Sequence, residues 1–321
     1  MDIKRLGLLA LAALSLSMGA ASAQSRILDI VEGNTDPRSL AMGNTMLGLS
    51  ESFQLYNNPA AMVYGQKELS VAASGDFALP STPYGTPMQY ALAFGHKLGD
   101  KRAIYVGGRY NGGLTIPVTH DTTIDGTGSA STLKPYQWTV DLGYAFTLTR
   151  GLVVYGTGSY AQSDLGRKAG GLLFSVGANY GTGITLGELP TFLQAGIRLM
   201  DAGSSLKFDD TGVEYALPTS VALGGEWEFA LSDDHHLSWA LSGRYFTPKN
   251  ATLLLAGTGV EYNWRDMVKV RGGFQYGQHN LSKATVGLGG QWKGFHVDAA
   301  FAIGLSEYAK HNLMVGLGYT F

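Results

Sequence analysis

The 321-residue chain contains no cysteine, which excludes a disulfide framework, a thiolate metal site and a cysteine nucleophile. Charge is scarce: Asp, Glu, Lys and Arg make up 15% of residues, against roughly a quarter in ordinary soluble domains. Neither sign dominates, with 23 Lys plus Arg facing 25 Asp plus Glu. The basic stripe that nucleic-acid binding requires is therefore missing, and no nucleic-acid partner is expected. Beyond the N-terminus there is no run of 18 apolar residues, so no transmembrane helix is predicted in the exported chain. Phosphate-loop, Gly-x-Ser-x-Gly and His-Glu-x-x-His patterns are all missing as well. Glycine and aromatic residues, by contrast, are plentiful. Gly occupies 45 positions and aromatics 11%, about twice the usual ~7% for Gly. With no low-complexity tract, that aromatic content argues against disorder.

Residues 1–23 read as an export signal. Lys4 and Arg5 form a basic start, Leu6 to Met18 an apolar run, and Ala21-Ser22-Ala23 a small-residue cleavage site. The apolar run is shorter than the ~20 residues needed to span a bilayer. Cleavage would leave Gln24 as the first mature residue, followed by no lipid-accepting cysteine.

Period-two alternation then recurs through the chain. It is clearest at the end, where Leu313, Val315, Leu317, Tyr319 and Phe321 share one face and Asn312, Met314, Gly316, Gly318 and Thr320 the other. Segments of this kind predict fourteen strands: 68–77, 88–98, 103–111, 136–147, 151–162, 169–181, 191–201, 219–229, 236–246, 251–264, 267–276, 283–292, 295–305 and 311–321. One face is repeatedly apolar and the other small or polar, the inside-out signature of an outer-membrane barrel. A β-sandwich would need two facing sheets and would carry its charges outside, and a closed barrel also removes open edges. The expected fold is an all-β, fourteen-stranded antiparallel transmembrane β-barrel in the outer membrane, with lipid and the outer-membrane assembly machinery as partners. Phe321 is the terminal residue expected of a chain handed to that machinery.

Aromatics provide an independent check. With a periplasmic N-terminus, even-numbered strands run downward, and Phe94, Tyr144, Phe146, Tyr180, Trp227, Phe229, Tyr262, Trp264, Trp292, Tyr319 and Phe321 fall near their ends. An interfacial girdle requires this placement. Tight turns such as Arg265-Asp266 and Lys293-Gly294 suit the periplasmic side, and the long connections 112–135 and 202–218 suit the outside.

Alternation also assigns the lumen. It receives Asp76, Asp141, Glu226, Glu228, Glu261 and Asp298 against Arg109, Arg198, Arg244, Lys269 and Arg271. Near-balance predicts ion pairs and hydrogen bonds rather than one strong field, either tying walls and plug together or lining a polar solute path. Fourteen strands enclose more space than the eight whose side chains fill their own interior. Residues 24–66, which do not alternate, are therefore expected to form an N-terminal hatch entering from the periplasmic side, with 67–321 as the barrel. Within them Asn58 is positioned to cap a short helix beginning at Pro59.

Two stretches of this segment carry a family likeness. Arg38-Ser39-Leu40-Ala41-Met42-Gly43 followed by Asn58-Pro59-Ala60 resembles the N-terminal signature of the FadL superfamily of outer-membrane proteins, and more closely its PorV/PorQ branch. Leu217-Pro218-Thr219-Ser220 and the strand turning through Asp201-Ala202-Gly203 look like that branch too. The likeness runs the length of the mature chain, with Asn-Pro-Ala its specific element. The acidic pair usual after Gly43 is reduced to Ser50-Glu51-Ser52.

The resemblance implies a fourteen-stranded barrel with a hatch; with no catalytic motif in the chain, no enzymatic activity is expected. PorV-type members serve type IX protein secretion, receiving and passing on substrates; FadL-type members are passive channels for fatty acids or other hydrophobic compounds, released sideways at a kink in the third strand. That strand here carries Gly107, Gly108, Gly112 and Gly113. Such glycines suit a lateral gate, or equally barrel curvature and close contact with the hatch. No metal or cofactor is expected. His235 and His236 would face opposite ways, and His236 with Ser238 gives a lumen-side pair lacking a third orienting group.

Overall fold

The computed structural model describes residues 28–120, 129–207, 214–248 and 251–321. The expected export signal and cleavage site, and residues 24–27, lie outside the described residues.

Fourteen antiparallel strands close into one barrel. In chain order they are β1 Leu69–Leu79, β2 Gly85–Lys97, β3 Arg102–Leu114, β4 Tyr136–Thr149, β5 Leu152–Asp164, β6 Lys168–Leu186, β7 Leu189–Gly203, β8 Ser220–Ser232, β9 His235–Phe246, β10 Leu253–Trp264, β11 Val268–Gly277, β12 Lys283–Trp292, β13 Phe295–Gly304 and β14 His311–Thr320. Each strand pairs with its sequence neighbours, and β1 closes on β14 through the register Ser70↔Thr320 to Leu79↔His311. All fourteen expected strands are present. Their uniformity has a physical cause: every apolar stripe faces the same solvent, so the same two-residue period repeats.

The outward stripe is exposed on every strand, with Leu92 64%, Leu142 59%, Leu223 58%, Leu288 62% and Leu317 58% accessible. Bare apolar area of this extent has no place in water and requires lipid. Trp227 and Trp239 stack on neighbouring strands at 5.0 Å, and Phe295 packs on Tyr319 at 4.7 Å. Both pairs lie near the end of the barrel with short turns. The other end carries the longer connections, two of which form small hairpins: Ile116–His120 with Ser129–Leu133, and Leu206–Lys207 with Glu214–Tyr215. Among the described residues no helix is long and apolar enough to cross a membrane.

Residues 28–66 run inside the wall. They contain three short helices, α1 Asp29–Glu32, α2 Pro37–Ala41 and α3 Ala61–Tyr64. α2 is capped by Asp36, whose side chain accepts from Arg38 N at 3.0 Å, with Pro37 at the first position. α3 starts later than expected. Asn58 does not cap it; its Oδ1 instead accepts from Ala60 N at 3.1 Å, bracing a turn that delays the helix to Ala61.

The route of the segment also differs from the expected entry on the periplasmic side. Leu28, Ile30 and Val31 are buried with Ala161, Ala169, Leu173, Leu206 and Leu217, beneath the long connections. Tyr64 lies at the other end, its hydroxyl 3.1 Å from Gly151 O in a short turn. The described segment thus traverses the lumen, its first apolar residues packing into a cluster at the far mouth.

Candidate functional site

The inner wall is shaped to take backbone. Across β10 to β14, a side chain built on Gly257, Gly259 or Gly273 would fall on the main chain of Met42 and Gly43, one on Gly287 would fall on Ala41, and one on Gly316 would come within 2.7 Å of Pro37. Glycine at these wall positions lets α2 and its following turn lie directly against the sheet. Gly43 itself has φ +78°, a left-handed conformation that glycine adopts without strain. Its N–H donates to Thr285 Oγ1 at 2.9 Å, and that hydroxyl donates to Ala41 O at 2.9 Å. Met42 is fully buried in this seat.

Arg38 reaches from α2 to carboxylates on β8 and β10. Its guanidinium meets Glu226 at 2.6 and 3.1 Å and Glu261 at 3.0 and 3.1 Å. Glu226 also accepts from Leu49 N at 2.9 Å, while Glu261 is shared with Arg271, which in turn pairs with Asp298. Burial alone would lower the Arg38 pKa. The two glutamates outweigh it and hold the value above that of a free guanidinium, so the charge stays on. Asp36 behaves in the opposite way: burial raises its carboxyl pKa, only partly offset by hydrogen bonds and by Arg38.

The Asn-Pro-Ala element is a second anchor. Asn58 Nδ2 donates to Gly48 O at 3.1 Å and to Gln194 Oε1 at 3.3 Å, Pro59 O accepts from Tyr105 OH, and Ala60 is fully buried. Gln194 also donates to Leu47 O, and Tyr64 OH donates to Asn179 O at 2.7 Å. Alternation gave no reason to select Gln194, Asn179 or Tyr105. Their inward positions were legible, but their partners in the N-terminal segment lie more than 40 residues away in sequence.

The remaining inward cations converge on the same segment. Arg109 pairs with Asp141 at 2.9 Å and lies 4.7 Å from the ring centre of Tyr56, whose hydroxyl donates to Asp141 at 2.9 Å. Burial raises the Tyr56 pKa, keeping the phenol protonated as a donor. Arg198 donates to Tyr56 O at 2.7 Å and Leu55 O at 3.2 Å. Arg244 bridges Asp201 at 3.2 Å and Glu32 O at 3.3 Å. Of the eleven inward charged residues read from the sequence, Arg109, Asp141, Arg198, Glu226, Glu261, Arg244, Arg271 and Asp298 thus join networks that reach residues 28–66. Asp76 does otherwise, accepting from Asn312 of β14 at 3.0 Å.

Two cavities flank the segment, the first lined by both charged and apolar side chains and the second mostly polar. One of 60 Å³, on the side of the long connections, is lined by Arg109, Arg198, Arg244, Asp141, Asp201 and Asn34. The other, of 100 Å³, lies toward the short turns beside Glu228, His236, Asn263, Lys269 and His296. Each has room for a few waters rather than a greasy chain. His236 does find an acid, Glu228 at 3.6 Å. Among the described residues no cluster of His, Asp or Glu is arranged to hold a metal ion.

The third-strand glycines separate into two kinds. Gly107 and Gly108 sit in unbroken ladders with both neighbours, Ala93↔Gly107↔Asp141 and Leu92↔Gly108↔Val140. There is no gap in the wall there. A side chain on Gly107 would strike Tyr56 and Leu55, so this glycine admits the segment. The irregularity lies nearer the mouth, where the β2–β3 register shifts between Gly85 and Met88, opposite Gly112–Leu114. Gly113 has φ +96° in that bulge.

Comparisons with known proteins agree with this architecture. Residues 35–246 match the family model for the type IX secretion system protein PorV. No curated protein sequence matches the chain. Among solved structures, the Ralstonia pickettii toluene transporter TbuX is similar at a TM-score of 0.60 and 16% identity, over 92% of this chain and 100% of that one. The Pseudomonas putida toluene transporter TodX gives 0.61 and 13%, over 93% and 99%. A Pseudomonas aeruginosa FadL homologue gives 0.54 and 11%, over 90% and 98%. At such identities the structural likeness establishes the fold. Lipid-facing stripes, a closed fourteen-strand wall and the matched family model together identify a Gram-negative outer-membrane β-barrel with the FadL-like fold, and the chain belongs to the PorV family of type IX secretion system proteins.

Proposed function

We propose that this chain is a non-enzymatic component of type IX protein secretion, receiving or shuttling exported substrates at the outer membrane while residues 28–66 act as a hatch that keeps the lumen shut. The PorV family match over 35–246 carries the reading. Two features support it. The lumen is filled with the segment and its ion pairs, which suits a closed barrel rather than an oily conduit. The mouth with long connections also presents apolar side chains, Tyr84 50%, Leu165 45%, Leu305 55% and Tyr308 63% exposed, a surface of the type protein partners cover. Partners are then type IX secretion proteins and their substrates. The test is deletion in the source bacterium with complementation: type IX substrates should accumulate in the periplasm and return to the surface with the wild-type chain. A quadruple variant with Ser at 84, 165, 305 and 308 should assemble but fail to restore export. Normal export in the deletion strain would refute the reading.

One observation favours a FadL-like passive channel for hydrophobic small molecules instead. Leu28, Ile30 and Val31 fill an apolar pocket at the outer mouth, which a greasy ligand would suit if those residues withdrew. In that reading lateral release belongs at the bulge beside Gly112 and Gly113. Uptake of a labelled long-chain fatty acid, lost on deletion while secretion persists, would select it.

A further inference from the structure

The longest hairpin of the barrel has an edge without a partner. β6 and β7 pair with each other as far as Leu186↔Leu189. The pairing of β6 with β5 stops earlier, at Leu152↔Tyr180, with one last bond from Gly181 N to Gly151 O. On the β5 side, residues Thr182–Leu186 therefore have no strand partner for ~16 Å, at ~3.3 Å per residue. Strand alternation fixes what they present. Because Gly181 N points toward β5, the N–H and C=O of Gly183 and Thr185 point to that same side, beyond the last β5 partner, while Ile184 and Leu186 serve the ladder with β7. A side chain built on Gly183 would meet no atom within 4 Å.

This edge also lacks the usual protection. Proteins blunt exposed edges with proline, lysine or bulges, yet 182–186 reads Thr-Gly-Ile-Thr-Leu. The opposite edge of the same hairpin is guarded. Pro190 offers no N–H, and β8 continues past its last pair with β7, Phe229↔Thr191, to Ser232. On the outward face of the open strand, Tyr180, Ile184 and Leu186 are 52%, 38% and 56% exposed.

We propose that Thr182–Leu186 is a docking edge that takes up an extended segment of a periplasmic protein as an added strand. Main-chain bonds to Gly183 and Thr185 would give affinity, and contacts with Ile184 and Leu186 selectivity. A second copy of this chain does not fit. Two barrels in one bilayer share an orientation, so the axis relating them lies along the membrane normal. Strands tilted ~35–45° would then cross at ~80°, too steep for a ladder. A periplasmic partner has no such constraint. The proposal holds whichever cargo the barrel handles.

The test uses the full chain in lipid nanodiscs and hydrogen exchange of peptides covering 182–189. The probe is the strand peptide acetyl-Lys-Thr-Val-Thr-Val-Thr-Lys-amide, with its alternately N-methylated form as control. The plain peptide should slow exchange of 182–186 by about tenfold or more, and the N-methylated peptide should not. Thr185→Pro removes an edge donor while leaving the β6–β7 ladder intact, and should abolish the effect; Thr185→Ser should keep it. Should T185P fail to assemble, a photo-crosslinking residue at 185 in the otherwise wild-type barrel should capture the plain probe in preference to the methylated one. Equal protection by both peptides, protection that survives in assembled T185P, or crosslinks joining two copies through position 185 would overturn the proposal.

Discussion

Arg38 and Glu226 stand 2.6 Å apart across 188 positions of sequence, one on a helix inside the lumen and the other on the wall. Glu226 is fully buried and Glu261 nearly so. Removing the cation leaves two carboxylates desolvated, and breaking a buried pair by deleting one partner costs ~3–5 kcal/mol. Arg38→Met should therefore loosen residues 28–66 while the fourteen-strand ladder persists. Limited proteolysis of the purified barrel reads this out: the segment should be cut much faster, with the heat-modifiable gel shift of the barrel retained. Adding Glu226→Gln should recover part of the loss.

Gly43 tests the seat itself. A β-carbon there would fall on the carbonyls of Thr258 and Phe274, and its φ is left-handed. Gly43→Ala should cost ~2 kcal/mol or more from backbone strain and the displaced contact. The same proteolysis assay should show release comparable to that of Arg38→Met. A cut rate equal to wild type would mean that α2 does not rest on the wall as described.

Gly107 and Gly108 are neighbours with opposite duties. Gly107→Ala should strike Tyr56 and Leu55 and weaken docking of the segment. Gly108→Ala points outward, its nearest neighbour being Thr139 O at 3.3 Å, and should stay within ~0.5 kcal/mol of wild type. Thermal melts of the two single variants separate them. Equal effects from both would favour a shared gating role.

These glycines also mark where sequence reading stopped. The strands were legible because lipid imposes one rule on all fourteen outer stripes, and Leu313 to Phe321 obey it as plainly as any segment. An inward glycine carries no comparable signal: Gly257 and Gly273 look the same in sequence whether they face water or the main chain of Gly43. The polar set was legible as a set, yet its pairing was not. Nothing local distinguishes Glu226, which meets Arg38, from Asp76, which meets Asn312. The proline after Asn58 suggests a helix cap, whereas the Asn58 amide is committed to Gly48 and Gln194.

The outer stripes make a spectroscopic prediction. Trp239, Trp264 and Trp292 are 42%, 42% and 65% exposed on the outward face. In vesicles of brominated lipid, tryptophan emission should fall strongly, and aqueous iodide should quench little. Leu317→Arg, near the girdle, should cost less than the ~2–4 kcal/mol of a midplane charge, with Leu142→Arg approaching that figure.

Planar-bilayer conductance of the purified full chain addresses most directly whether the N-terminal segment closes the lumen. The wild-type barrel should insert and remain silent, and Arg38→Met should open flickering conductance as residues 28–66 leave their seat. A steady ohmic current through the wild-type barrel would contradict a lumen held shut by Arg38, Glu226 and Glu261.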